Sequence, residues 1–259
     1  MTGASFVLEW ILSEHDAQRR EQIAANLAAV RERIAAAAAR AGRAPSEITL
    51  VAVTKTYPAA DVLHLAALGV ADVGENRDQE AAPKAAEAAA AGVDLRWHFI
   101  GQLQRNKARS VASYAAMVHS VDSVRLAVAL GAAAARAAGE ARPGSLDALV
   151  QISVDGDPER GGALPTGDDP DRALLRVANA IAVHPALRLR GVMAVAPLDW
   201  APERAFAEVA RCAALIRAAH PDATVVSAGM SDDLDEAVAC GATHVRIGSA
   251  ILGMRPPLR

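Results

Sequence analysis

The chain has 259 residues, 52% of them hydrophobic and 22% charged, with a formal net charge of −3. A chain of this length buries a full core as one domain, and a slightly acidic balance, with pI about 6.2, argues against attraction to nucleic acid or to an anionic membrane surface. Its two cysteines, Cys212 and Cys240, stand in no C-x-x-C or metal-ligand spacing, which fits a reducing compartment without a disulfide framework.

The apolar stretch Phe6 to Leu12 is interrupted by Glu9 and follows no basic region, so it makes a poor signal peptide. No run reaches transmembrane length, and the expected location is the cytoplasm. Residues 1–16 read as an N-terminal extension and 17–259 as the folded domain. Ile23, Leu27, Val30 and Ile34 recur at helical spacing until Gly42 supplies a stop, which predicts a long opening helix.

After Pro45 short apolar runs alternate with Ala-rich amphipathic segments, the pattern of repeated β-α units. Strands are expected near 48–54, 71–74, 95–100, 116–120, 147–154, 187–195, 224–227 and 244–248. Helices are expected over 59–68, 77–91, 105–112, 123–138, 170–184, 202–220 and 232–240, with a short last one after Ser249. Eight strands in strict alternation predict an α/β fold, a single (β/α)8 TIM barrel with an extra N-terminal helix. A doubly wound open sheet is the runner-up. It usually carries a Gly-rich fingerprint after its first strand, where this chain has Thr54-Lys-Thr-Tyr-Pro58.

Barrel active sites lie at the carboxyl ends of the strands, and unusual polar residues collect at those places. The first strand ends at Lys55, the second at Gly74-Glu-Asn76, the fourth at His119-Ser-Val-Asp122 and the fifth at Ser153-Val-Asp-Gly-Asp-Pro-Glu-Arg-Gly-Gly162. A lysine at such a rim either snorkels to solvent or forms a Schiff base with a carbonyl ligand. The last two turns, Ser227-Ala-Gly229 and Gly248-Ser249, supply small residues and hydroxyls where a barrel commonly holds a phosphate.

On the eighth strand, Val245 and Ile247 would face the outer helices, turning His244, Arg246 and Gly248 inward. An inward arginine requires an acceptor. Two readings are open for Arg246: a buried carboxylate partner, or the ring nitrogen of a bound pyridine cofactor, which it would keep unprotonated. His98 reads as a satisfied core residue, and Asp232 and Asp233 as capping the next helix. No histidine pattern suggests a metal, and no serine lies in a nucleophile elbow.

Six segments carry a family resemblance: Leu50-Val-Ala-Val-Thr-Lys55, Gly74-Glu-Asn76, Trp97-His-Phe-Ile-Gly-Gln-Leu-Gln-Arg-Asn-Lys107, His119-Ser-Val-Asp122, Gly229-Met-Ser-Asp-Asp233 and Val245-Arg-Ile-Gly248. In this order they resemble the YggS/PROSC family of pyridoxal-phosphate-binding proteins, a barrel similar to the N-terminal domain of alanine racemase. The resemblance covers about Ile23 to the C-terminus. It implies that Lys55 holds pyridoxal 5'-phosphate as a Schiff base, that Ser227, Gly229, Gly248 and Ser249 surround its phosphate, and that Arg246 faces the ring nitrogen. Asn76 and Met193 line the ring's pocket in the same reading. The chain departs from the family pattern at Ala228, often methionine, at Ser153, commonly asparagine, and at Ser249, usually threonine.

Racemisation of the alanine racemase type needs a second acid/base group opposite the lysine. Only Tyr57 and Tyr114 are available, one too near Lys55 in sequence and one just before the fourth strand. The resemblance therefore implies a non-catalytic, monomeric carrier that keeps pyridoxal phosphate in homeostasis and hands it to apoenzymes, without nucleic-acid or membrane partners. A low-activity racemase-like enzyme is the alternative, and a cofactor-free Schiff-base aldolase holding a sugar phosphate is a third reading.

Overall fold

In the computed structural model, eight parallel strands close in chain order, with β8 returning to pair β1. The structure describes residues 3–138, 144–157, 161–166 and 169–254, with side chains from Glu14 onward. The strands are β1 (Thr49–Val53), β2 (Asp72–Glu75), β3 (Arg96–Phe99), β4 (Ala115–Val121), β5 (Leu146–Gln151), β6 (Leu187–Met193), β7 (Val225–Ser227) and β8 (His244–Ile247). Helices follow them as α2 (Ala59–Ala67), α3 (Asp78–Ala90), α4 (Ala108–Tyr114), α5 (Val124–Ala137), α6 (Leu174–Ala182), α7 (Pro202–Ala219), α8 (Leu234–Ala239) and α9 (Ser249–Leu252), after an opening α1 (Gly3–Arg40). This is the TIM barrel that the alternation predicts.

Two strands end earlier than the apolar runs suggest. Past Gln151 the chain leaves the barrel, and Ile152 forms an isolated bridge with Ala163 instead. β6 ends at Met193, although Ala194 N–H still donates to Ser227 O at 3.1 Å. Residues 158–160, in the middle of the loop expected at the mouth after β5, lie outside the described residues.

Helix α1 runs without a break across residue 16, because no glycine or proline interrupts the sequence from Ala4 to Ala41. Its apolar positions fall as the spacing predicts: Ile23 and Leu27 are fully buried, with Val30 and Ile34 beside them. Gly42, at φ 67°, ends it, and the Arg43 N–H reaches back to Ala38 O at 2.9 Å. Polar clamps then fix the helix along the barrel. Arg19 pairs Asp61 on α2 at 2.7 Å, Asn26 donates to Ile251 O of α9 at 2.9 Å, and Arg33 pairs Asp235 of α8 at 2.9 Å.

Side-chain alternation divides the sheet. Val245 and Ile247 on β8, and Val73 and Trp97 on β2 and β3, join Ile23 and Leu27 in a core between sheet and helices. Phe99, Val118, Leu146, Val192 and Val226 do the same on the other side, where Cys212 is buried as a free thiol. The opposite parity fills the barrel itself. One half is apolar, with Met117, Leu149, Met193 and Val225 packed together. The other half is polar, with Asp72, His98, His119, Ser227 and Arg246 all buried. Among the described residues, no helix is long and apolar enough to cross a membrane.

Candidate functional site

Lys55 stands two residues past the end of β1 and is exposed. Its flanks are held firmly. Thr54 N–H donates to Gly74 O at 2.9 Å, and Thr54 Oγ1 donates to Glu75 Oε1 at 2.7 Å. Thr56 has φ 69°, and its N–H donates to Glu80 Oε2 at 2.8 Å. A β-branched residue in that region costs on the order of 1–3 kcal/mol, so the turn that displays Lys55 persists because its neighbours over-determine it.

Lys84 Nζ lies below, donating to Thr54 O at 2.9 Å and to Glu75 Oε1 at 2.7 Å. Burial raises the Glu75 pKa against the opposing pull of Lys84 and Thr54, and its second oxygen has no partner among the described residues. Neither Glu75 nor Lys84 receives a role from sequence reasoning. Their signal is a glutamate in the Gly74-Glu-Asn76 motif and a lysine nine residues on, spaced to meet only once the helix has folded back.

The two small-residue turns leave the same rim as Lys55. β1 and β8 are neighbours in register, with Val51 opposite Arg246 and Ala52 opposite Ile247. A β-carbon on Gly248 would lie 3.2 Å from Val53 O, so only glycine lets the strand ends approach this closely without displacement. Ser249 opens α9 and is exposed. Gly229 is buried at φ 91°, where a β-carbon would press within 2.6 Å of Ala237 Cβ. Its carbonyl accepts from Arg246 N–H at 3.0 Å, tying the turn after β7 to β8.

Ser227 is fully buried, and its hydroxyl points into the barrel, 2.8 Å from Arg246 Nη1 and 3.0 Å from His119 Nδ1. Arg246 Nη1 also donates to Ser227 O at 2.8 Å, and Nη2 to Ala194 O at 2.8 Å. Among the described residues, no carboxylate forms an ion pair with this guanidinium. Burial lowers its pKa to about 10, with only the charge of Asp233 opposing. The buried-carboxylate reading of Arg246 therefore fails: its acceptors are two carbonyls and a hydroxyl.

Asn76 is half-buried just past β2 and shares a cavity of about 460 Å³ with Asp78, Gln102 and Lys107. Met193 lies in the apolar half of the barrel interior, against Met117, Leu149 and Val225. Ser153, one of the departures from the family pattern, is buried, and its hydroxyl has no partner among the described residues. His98 is a satisfied core residue, as expected, with its ring nitrogens 2.8 Å from both Asp72 Oδ1 and His119 Nε2.

The capping expectation for Asp232 and Asp233 does not hold. Asp233 occupies the position before α8, but its carboxylate accepts from Met230 N–H at 2.6 Å and reaches no amide of the helix. Both tyrosine hydroxyls are committed elsewhere. Tyr57 donates to Gly253 O, and Tyr114 lies 3.4 Å from Asp78 Oδ1, with burial and then the Asp78 charge raising its pKa. The described residues hold no cluster of potential metal ligands.

Comparison with known proteins bears on the family and the fold. The profile described as alanine racemase, N-terminal domain, matches residues 25–256. The pyridoxal phosphate homeostasis protein of Mycobacterium leprae is 44% identical over 243 residues, spanning 91% of this chain and 93% of its own. The chain belongs to the pyridoxal phosphate homeostasis protein family. The family member from Escherichia coli K12 is 40% identical over 241 residues, spanning 90% of this chain and 97% of its own. PipY of Synechococcus elongatus PCC7942, solved with PLP bound, aligns at a TM-score of 0.72 and 33% identity, covering 89% of this chain and 100% of that one. Alanine racemase from Corynebacterium glutamicum shares the fold, at a TM-score of 0.63 and 17% identity over 93% of this chain and 64% of its own.

Proposed function

We propose that the protein is a cytoplasmic carrier that holds pyridoxal 5'-phosphate reversibly, as a Schiff base on Lys55. The supporting observation is that Lys55 and the Gly248-Ser249 turn leave one rim from adjacent strands, with Arg246 inward beside them. An aldehyde held by the amine would thus have its anionic tail within reach of backbone donors and a serine hydroxyl at a glycine turn. The cofactor fits the residues present. Among the described residues Arg246 is a buried cation without a carboxylate, suited to face the ring nitrogen, and Gly248 lets the β8 end lie against Val53 where a side chain would crowd it. Gly229 shapes the second phosphate turn. In this reading Ser227 contributes its backbone there, since its hydroxyl is engaged with Arg246 and His119. Asn76 and Met193 flank the ring.

Bound cofactor supplies an electrophilic imine, and free cofactor is a reactive aldehyde. Reversible sequestration limits stray adducts while keeping the group transferable to apoenzymes, and the chain acts as a monomer. The commitment of both tyrosine hydroxyls to other partners supports a carrier over a two-base racemase.

The chain has three lysines, Lys55, Lys84 and Lys107, which makes the test simple. Protein loaded with pyridoxal phosphate, reduced with borohydride and digested, should carry the label on Lys55. A colourless, unlabelled protein contradicts the proposal. The barrel it shares with alanine racemase keeps a low-activity racemase as the second reading. Exchange of the α-proton of L-amino acids in deuterated water, well above that given by free cofactor, favours that reading.

A further inference from the structure

A continuous chain of hydrogen bonds crosses the barrel interior from its amino-terminal mouth to Arg246. At the mouth, Arg96 grips Asp72 with Nε at 2.6 Å from Oδ1. Asp72 Oδ1 meets His98 Nε2 at 2.8 Å, His98 Nδ1 meets His119 Nε2 at 2.8 Å, and His119 Nδ1 meets Ser227 Oγ at 3.0 Å. Ser227 Oγ then meets Arg246 Nη1 at 2.8 Å. The participants come from β2, β3, β4, β7 and β8. The His119–Ser227 bond spans strands that are not neighbours in the sheet.

With His119 neutral, as its burial favours, the chain admits two self-consistent directions. Asp72 is an anion: burial alone would raise its pKa, but the bonds from His98 and Arg96 outweigh this and lower it to about 2. It therefore accepts, and His98 carries its proton on Nε2. If His98 is neutral, its Nδ1 accepts from His119 Nε2–H, and His119 Nδ1 accepts the Ser227 hydroxyl proton. Ser227 Oγ is then left with lone pairs for Arg246. If His98 carried a second proton, the bonds to His119 and on to Ser227 would reverse, while Arg246 would still donate to Ser227 Oγ. That adds a cation to an interior already holding Arg246, while Asp72 is already neutralised by Arg96. Full burial also pushes the His119 pKa well down, as do the nearby His98, Arg246 and His244.

We infer that Asp72, His98, His119 and Ser227 form a directed relay that positions Arg246: the Asp72 carboxylate fixes both histidines as Nε2–H tautomers, which turns the Ser227 hydroxyl proton toward His119 and leaves the Oγ lone pairs to the guanidinium. Asp72 and His119 are positioning residues, acting on the ligand only through Arg246. The link to pyridoxal phosphate rests on the proposed function, whereas the relay does not.

The test is the nitrogen-15 spectrum of the histidine side chains in the full chain, first without cofactor, with His98→Gln and His119→Asn giving the assignments. The Nε2–H tautomer is expected at both positions. An Nδ1–H tautomer or a doubly protonated ring at either overturns the assigned direction. Asp72→Asn keeps a single oxygen, which Arg96 claims, so the amide must donate to His98. Nδ1–H signals should then appear at both histidines, and unchanged tautomers remove Asp72 as the director. The same variant, titrated with pyridoxal phosphate, should bind about fivefold more weakly than the parent. Equal affinity severs the relay from the ligand site. A parent chain that binds no pyridoxal phosphate defeats the proposed function and leaves the tautomer result to decide the relay.

Discussion

Lys84 Nζ and Glu75 Oε1 are 2.7 Å apart in a pair with almost no solvent exposure, and the same nitrogen also holds the carbonyl of Thr54, next to Lys55. Two lysines thus stand close together in different settings: one anchors the turn as a buried cation, and the other projects from it.

Removing one member of that pair should be costly. Lys84→Met strips Glu75 of its counter-charge and frees the Thr54 carbonyl, and breaking a buried pair in this way costs about 3–5 kcal/mol. Glu75→Gln combined with Lys84→Met should recover much of the loss, because no uncompensated charge remains. Urea midpoints at neutral pH report both. An Lys84→Met midpoint equal to that of the parent would show that the pair contributes no stability.

Lys55→Ala should behave in the opposite way. The side chain is exposed and takes no part in the barrel's packed layers, so unfolding should shift by less than about 0.5 kcal/mol. The visible absorption of cofactor-loaded protein should disappear, and borohydride should leave no label on the Lys55 peptide. Persistent labelling at Lys84 or Lys107 would relocate the attachment.

The parts of this architecture legible in the sequence are those set by local periodicity. Ile23, Leu27, Val30 and Ile34 announce α1, and the alternation Val245, Ile247 against His244, Arg246 gives the inward arginine before any coordinates. The same alternation on β3 and β4 would have turned His98 and His119 inward, but their partners lie on other strands and nothing local reveals them. The acceptors of Arg246 were illegible for a similar reason. Ala194 and Ser227 serve it through backbone carbonyls, and a carbonyl leaves no mark on residue type. Strand ends were overrun at Val154 and Val195, where apolar residues remain buried after the ladder has stopped or stand half-exposed in a loop.

At the phosphate turns the hydroxyl and the backbone make separable contributions. Ser249→Ala removes one hydroxyl from an exposed helix start, and a net hydrogen bond of about 1 kcal/mol predicts roughly fivefold weaker pyridoxal phosphate binding. Gly248→Ala should weaken it further, because the new methyl group meets the Val53 carbonyl and side chain at 3.2 and 3.3 Å and pushes the β8 end away from β1. Titration of the two variants side by side checks the order. Complete loss of binding in Ser249→Ala would mean that backbone donors are not the main phosphate contact.

Acid should weaken the fold in two stages, the first of them unusually early. Burial lowers the His244 pKa to about 4, and His119 is lowered as well, so both rings are neutral in the folded chain at neutral pH. In the unfolded chain each titrates near about 6.5 and takes up a proton that the folded form refuses. Their contribution is therefore complete above about pH 6.5 and is lost as pH falls through the window down to the folded pKa values. For His244 alone the loss is roughly 3 kcal/mol by pH 4. Asp72 adds the second stage: its pKa, lowered to about 2 in the fold, makes its stabilisation fade from the ordinary carboxylate range downward. Urea midpoints measured from pH 7.5 to 4.5 should fall steadily below pH 6.5, and His244→Asn should flatten part of that slope. A midpoint constant between pH 7 and 5 would mean that these imidazoles are not held neutral by the barrel interior.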